Sequence, residues 1–218
     1  MDDPLPPMPD LAEADIADDI RFLTASGPGV AGVDEVGRGP LAGPVLAAAV
    51  VLGDADVPGL ADSKTLALAE RERLYGELTA LARAGRITIG LGLCSACEID
   101  RINIRAASLL AMAKAVSALR RPPLQVLVDG NVVPKGLPAP ATAIVGGDGK
   151  VAAIAAASIV AKVVRDRMMA RLGELHTPYG WAQNVGYSTP FHLESLRRHG
   201  PCDQHRMSFK PVRLAALR

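Results

Sequence analysis

Aromatic residues are nearly missing from this 218-residue chain, at 3% for Phe, Trp and Tyr together. Hydrophobic residues still reach 49%, so Ala, Val, Leu and Ile must fill the core. Cysteine is scarce as well. The three present, Cys94, Cys97 and Cys202, are too few for a disulfide scaffold. Cys94 and Cys97 form a lone C-x-x-C without the further ligands of a structural zinc site, and reduced thiols suit a cytoplasmic protein. Neither sign of charge dominates: 24 Lys and Arg meet 23 Asp and Glu, and the balance of +1 neither demands nor excludes a polyanionic partner. Long apolar runs are also lacking. The longest helical one, residues 151–164, is shorter than the ~20 residues of a membrane span and is interrupted by Lys162. The acidic, Pro-rich start lacks the basic and then apolar pattern of a signal peptide. A soluble, cytoplasmic protein with no membrane association is therefore expected.

What is present is a succession of strand and helix patterns. Residues 1–10 read as a disordered tail and 11–23 as a short amphipathic helix. Residues 30–36 and 44–52, rich in Val and Ala and bounded by Gly or Pro, read as strands. Residues 67–84 carry Leu74, Leu78 and Leu81 at helical spacing. Residues 86–93 set Ile87, Ile89, Leu91 and Leu93 on one face of a strand. Ser95 and Glu98 have the spacing of a capping box. The main helix behind them carries Ala106, Leu109, Leu110, Ala113 and Val116 as its stripe and stops at Arg120-Arg121-Pro122-Pro123. Short apolar strands follow at 124–128 and 142–145, then an Ala-rich helix over 151–172.

The chain changes character after Gly173, where all four histidines and the one tryptophan lie. Thr189 caps and Pro190 begins a short helix that Gly200 ends. His176, His192 and His199 are expected at the surface or at helix ends, and His205 is expected to orient the tail. Three early strands suit an antiparallel meander, and later strands reached through helices suit parallel neighbours. An α/β fold follows, with a mixed sheet flanked by helices over residues 11–172 and a mostly helical C-terminal extension over 173–218.

Chemistry concentrates in Gly32-Val33-Asp34-Glu35-Val36-Gly37-Arg38-Gly39-Pro40. Two adjacent carboxylates lie in an otherwise apolar strand, where an unpaired acid is costly to bury. Asp129 stands where the apolar strand 124–128 ends, and Asp148 follows the strand 142–145. Ligand sites of open α/β sheets gather at such carboxyl ends. Carboxylates that converge repel one another unless a cation joins them, and oxygen-only ligands suit Mg²⁺ or Mn²⁺. Gly37 and Gly39 let backbone approach a ligand, and Arg38 between them can reach a phosphate. Asp62-Ser63-Lys64 either opens the following helix or contacts phosphate.

Together these segments resemble the ribonuclease HII family. The matching stretches are GVDEVGRGPLAGPV at residues 32–45, DSK at 62–64, EIDRINI at 98–104, VDGN at 128–131, AAASIVAKVVRD at 155–166, GYST at 186–189 and HRMSFKPV at 205–212. The resemblance implies a ribonuclease H-like fold and an endonuclease that cuts the RNA strand of RNA–DNA hybrids and ribonucleotides embedded in duplex DNA, leaving 5′-phosphate and 3′-hydroxyl ends. It implies Asp34, Glu35, Asp129 and Asp148 as metal-binding catalytic acids for Mg²⁺ or Mn²⁺, with Asp34 as the bridge. Gly37, Arg38 and Gly39 would sense the 2′-hydroxyl, Tyr187 would pack on the sugar at the RNA–DNA junction, and Ser63 and Lys64 would hold phosphates. Further phosphate contacts would come from Lys150, Lys162 and Arg206. Asp166 ranks below Asp148 as a ligand.

Departures from the family fall on two basic positions and on Ala67, which stands where a helix-capping serine is common. Gly146 stands where Lys is common, and Gln183-Asn184-Val185 fills a stretch that is usually basic. Both weaken the expected grip on nucleic acid more than the chemistry. Two rival readings stay open: another two-metal nuclease on the same fold, and a catalytically silent nucleic-acid-binding module. Nothing in the sequence demands more than a monomer, and it does not say whether the tail meets a sliding-clamp partner. Adjacent strand residues point to opposite faces. Asp34 and Glu35 therefore share a site only if the strand ends or bulges there, or if Glu35 offers its carbonyl.

Overall fold

The structure, a computed structural model, describes residues 29–60, 63 and 66–217. The expected tail and helix within 1–23, together with Asp62 and Lys64, lie outside the described residues. Among the described residues five strands form one mixed sheet: β1 (Val30–Val36), β2 (Val45–Val51), β3 (Thr88–Cys94), β4 (Gln125–Asp129) and β5 (Ala141–Ile144), in the order β3-β2-β1-β4-β5. The first three pair antiparallel, and β4 and β5 join β1 in parallel. Seven α-helices occur among the described residues: α1 (Leu68–Arg83), α2 (Ala96–Ile102), α3 (Ile104–Ser117), α4 (Ala152–Leu175), α5 (Trp181–Asn184), α6 (Pro190–His199) and α7 (Lys210–Ala216). None is long and apolar enough to cross a membrane. The expected mixed sheet flanked by helices is the fold observed.

Helices cover both faces of the sheet. On one side α4 and α1 bury Leu46, Ala48 and Val50 of β2 with Leu74, Leu78 and Ile159. On the other, α3 covers Ala31 and Val33 of β1 and Ala47 and Ala49 of β2. The central strands are thus buried on both faces, which explains their unbroken apolar runs. Local chemistry sets the ends of several helices. Ser95 and Glu98 complete a capping box at α2, and Thr189 accepts the amide of His192 at the start of α6.

Two expected apolar faces are corrected. Leu91 and Leu93 of β3 are 43% and 39% exposed, whereas Gly90, Gly92 and Cys94 face inward. In α3 the expected Val116 is buried and Leu109 packs half-buried against the core, but the rest of the buried stripe is Ala107, Ala111 and Ala115 with Met112, and Leu110 is exposed. Both shifts have one cause. The helix lies so close to the strand that a Cβ on Gly92 would sit 2.2 Å from the Ala111 carbonyl oxygen. Small residues therefore make the contact, and Leu91, Leu93 and Leu110 are turned outward.

The C-terminal segment packs on the loop between β1 and β2. Leu41 N–H donates to Gly186 O at 2.8 Å, Gly43 N–H to Gln204 O at 2.8 Å, and Arg206 N–H to Leu41 O at 2.9 Å. Leu41, Ala42, Met169, Tyr179, Trp181, Leu196 and Val212 form a third buried cluster beneath that contact.

Candidate active site

The sheet brings acids from neighbouring strands to one end. β1 and β4 run parallel with Val33 opposite Val128, so the next pair in this register is Asp34 and Asp129. Neighbouring strands lie about 4.8 Å apart, so the two carboxylates rise side by side at the carboxyl ends. The Asp129 Oδ1 accepts the Gly147 amide at 2.7 Å. That bond draws in the 3₁₀ turn Gly147–Gly149, which carries Asp148, itself 9% exposed. Gly146 enables the turn with a left-handed φ of 64°.

Asp34 and Glu35 take opposite faces of β1, because the strand pairs regularly with β2 through Val36 and Leu46 without a bulge. Asp34 lies on the α4 side. A Cβ on Gly32, two residues before it, would meet the Ala153 carbonyl carbon at 2.1 Å, so α4 can settle directly on the strand. Asp34 is 5% exposed, accepts a hydrogen bond from Ser158 of α4 and takes its neighbour's amide, Glu35 N–H, at 2.7 Å. Glu35 lies on the α3 side, 3.4 Å from the Arg38 guanidinium. It lines a cleft of about 100 Å³ with Arg38, Arg105, Ser108, Asp129 and Asn131. Asp129 also lines this cleft, and its charge acts on both Asp34 and Glu35.

The electrostatics follow from this crowding. Burial, reinforced by the charges of Glu35 and Asp129, pushes the Asp34 carboxyl up to about 8 against the Ser158 hydrogen bond. Burial also raises Glu35, with Arg38 opposing and Asp129 adding to the rise. A site that resists its own ionisation this strongly in the absence of cations is one that a cation would complete. The donor set is all oxygen, which fits a hard divalent ion rather than a thiolate-loving one.

The remaining residues singled out from sequence fall into two groups. Gly39 lies beside Tyr187, since a Cβ on the glycine would be 3.4 Å from the Tyr187 Cε1, and the Tyr187 ring is 45% exposed. Ser63 is buried, and its hydroxyl shares a 2.8 Å hydrogen bond with the Ser158 hydroxyl, so it backs Asp34 through one intermediary. Lys150 bonds the Val145 carbonyl at 2.8 Å, and Lys162 pairs with Asp166 at 2.9 Å.

Two expectations are corrected. Arg206 is wholly buried and spends its guanidinium on backbone carbonyls, so it does not face a phosphate. His192 stands in the first turn of α6, the helix end that was one of its two expected places, but it is not at the surface: it has no exposure and bonds Trp181 and His205. Sequence reasoning also passed over Ser158, Arg105 and Ser108. For Ser158 a signal existed, a hydroxyl inside the Ala-rich stretch 151–164. Arg105 and Ser108 look like ordinary helix residues, and only the packing of α3 brings them to the cleft.

The sequence matches the model of a family described as Ribonuclease HII over residues 31–212. Ribonuclease HII 2 of Methylibium petroleiphilum is 56% identical over 189 residues, covering 86% of this chain and 85% of that protein. Among solved structures, the ribonuclease H2 of Pyrococcus horikoshii superposes with a TM-score of 0.72 at 29% identity, over 86% of this chain and 97% of that one. The structure of a PCNA:RNase HII complex from Archaeoglobus fulgidus contributes a second neighbour, with a TM-score of 0.68 at 28% identity over 84% and 95% of the two chains.

Proposed function

The chain belongs to the ribonuclease HII family, and on that premise we propose that it is an endonuclease hydrolysing the RNA strand of RNA–DNA hybrids and cutting at ribonucleotides embedded in duplex DNA. One observation carries the chemical part of this reading. Asp34, buried within the central strand β1 beside Asp129, has its carboxyl pushed up to about 8 by burial and by neighbouring acids. Such a cluster is a poor structural device and a good cation cradle.

Asp34, Asp129 and Asp148 would hold Mg²⁺ or Mn²⁺ through their carboxylates, and Glu35, whose side chain leaves the other face of β1, would do so through its backbone carbonyl. When bound, such ions supply Lewis acidity, easing deprotonation of an attacking water and steadying charge on the leaving 3′-oxygen. The protein's own part is positional. Ser158, backed by Ser63, orients Asp34. The Gly147 amide fixes Asp129. Arg38, half-exposed beside Glu35, is the cation best placed to meet a phosphate at this end of the sheet. The loop of Gly37, Arg38 and Gly39, exposed at Arg38 and Gly39, reads the ribose 2′-hydroxyl through backbone, and Tyr187 packs on the adjoining sugar. A backbone reader is blind to base identity, so cutting is largely independent of sequence.

The reading is tested with three duplexes in Mg²⁺ or Mn²⁺: DNA with a single ribonucleotide, an RNA–DNA hybrid, and plain DNA. Cleavage of the first two, leaving 5′-phosphate ends and an intact plain duplex, is the expected result. Plain DNA cut at a comparable rate refutes the reading, and binding without any cleavage favours a silent binding module.

A further inference from the structure

Arg165 of α4 and Arg206 of the C-terminal segment both have zero exposure. Bringing a guanidinium fully inside is costly unless every donor is met. Here the donors meet carbonyl oxygens. Arg206 donates from Nη2 to Gly37 O at 2.6 Å, from Nη1 to Arg38 O at 3.0 Å and from Nε to Gly43 O at 3.0 Å. Arg165 donates from Nε to Pro44 O at 3.0 Å, from Nη2 to Ala42 O at 3.3 Å and from Nη1 to Val185 O at 3.1 Å. Five of these six carbonyls belong to the single loop 37–44.

The geometry of the peptide unit turns this clamp into a statement about the loop's outer face. No cis peptide bond occurs among the described residues. In a trans peptide the C=O and the following N–H point in opposite directions. With the carbonyls of Gly37 and Arg38 drawn inward to Arg206, the amides of Arg38 and Gly39 are aimed outward. Arg38 and Gly39 are both exposed, and neither amide meets an acceptor among the described residues. The glycines make room for the arrangement. Gly37 has a φ of 91°, and a Cβ there would fall 2.1 Å from the Arg165 Nε. Carbonyls bound to a cation polarise their peptides, so the outward amides become better donors.

We propose that Arg206, assisted by Arg165, is a positioning residue for ribose recognition, presenting the amides of Arg38 and Gly39 to the 2′-oxygen of the ribonucleotide. The inference rests on the reading of residues 37–39 as the ribose sensor and adds the buried groups that set its conformation. It also explains why these cations are arginines. A planar fork can hold three carbonyls in fixed directions, which an ammonium cannot. Burial first, and then the like charge of Arg165, draws the Arg206 guanidinium down to about 9, and burial draws Arg165 down to about 10. Both remain charged at neutral pH.

The test is a comparison of affinities, with Ca²⁺ replacing Mg²⁺ to hold back cleavage. Dissociation constants are measured for a duplex bearing one ribonucleotide and for the same duplex in DNA alone, with the wild type, Arg206→Lys and Arg165→Lys. The wild type is expected to prefer the ribonucleotide duplex. Arg206→Lys keeps the charge and loses the fork, so that preference should fall by about tenfold, and Arg165→Lys should lower it in the same direction by less. Thermal melting checks that each variant folds, and Arg165→Lys carries the comparison if Arg206→Lys does not. Equal weakening on both duplexes overturns the inference, because a merely structural residue acts that way. A wild type without ribonucleotide preference overturns the sensor reading itself, and this inference with it.

Discussion

His192 and His205 face each other Nε2 to Nε2 at 3.1 Å inside the C-terminal cluster. Their partners fix the tautomers. Cys202 N–H donates to His205 Nδ1 at 3.0 Å, so the His205 proton sits on Nε2. His192 Nδ1 lies 2.8 Å from the Tyr187 carbonyl and donates to it, leaving the single lone pair of Nε2 to be shared by the N–H groups of Trp181 and His205, each at 3.1 Å. Both rings are therefore neutral, and the pair holds the backbone of Tyr187.

This pair predicts an acid limit to stability. Burial lowers His192, and burial first, then the charges of His192 and His176, draws His205 down to about 4 against Cys202 and Asp203. An unfolded histidine titrates near 6.5. Between these values the unfolded chain takes up protons that the folded protein refuses, so stability is full above pH 6.5 and is lost as pH falls toward 4. The loss attributable to His205 is about 2 kcal/mol, read from denaturant midpoints at pH 7 and 4.5. A His205→Gln variant should flatten the slope, and an unchanged slope would contradict the assignment.

Asp34→Asn should make the metal-free protein more stable and nearly inactive. The folded carboxyl holds its proton up to about 8, whereas the unfolded one releases it near 3.8. Rising pH between those values therefore favours unfolding. Removing the acid should raise stability at pH 7.5 by roughly 1–3 kcal/mol and cut cleavage more than about a hundredfold. Mg²⁺ should raise the melting temperature of the wild type, increasingly with pH, and much less that of the variant.

Gly146→Lys should tighten the grip on duplex. A Cβ there meets nothing within 4 Å, although the φ of 64° makes a non-glycine residue cost about 1 kcal/mol. The added cation should lower the dissociation constant for a ribonucleotide duplex severalfold at low salt and steepen the salt dependence by about one phosphate contact. A salt slope identical to the wild type would show that the side chain does not reach the backbone.

Gly92→Ala should destabilise the fold by about 2–3 kcal/mol, since the new methyl would sit 2.2 Å from the Ala111 carbonyl oxygen and α3 must move to admit it. A shift below about 0.5 kcal/mol in equilibrium denaturation would mean that the helix is not seated so closely.

The sequence by itself determined the kind of most elements among the described residues, the capping box of Ser95 and Glu98, and the position of Asp129 at the end of β4, because alternation, caps and strand termini are local patterns. It did not determine which face is buried. In β3 and α3 the leucine spacing pointed to one face and the glycine–alanine contact buried another, since how closely a helix approaches depends on both partners. Nor could it tell a phosphate-binding arginine from an internal one. Arg206 bonds Gly37 across 169 positions, and His192 becomes a core residue because His205 and Trp181 surround it. The unusual ionisation of Asp34 likewise exists only where parallel pairing sets Asp129 beside it and α4 closes over it, for burial and charge proximity belong to the folded arrangement and not to the chain.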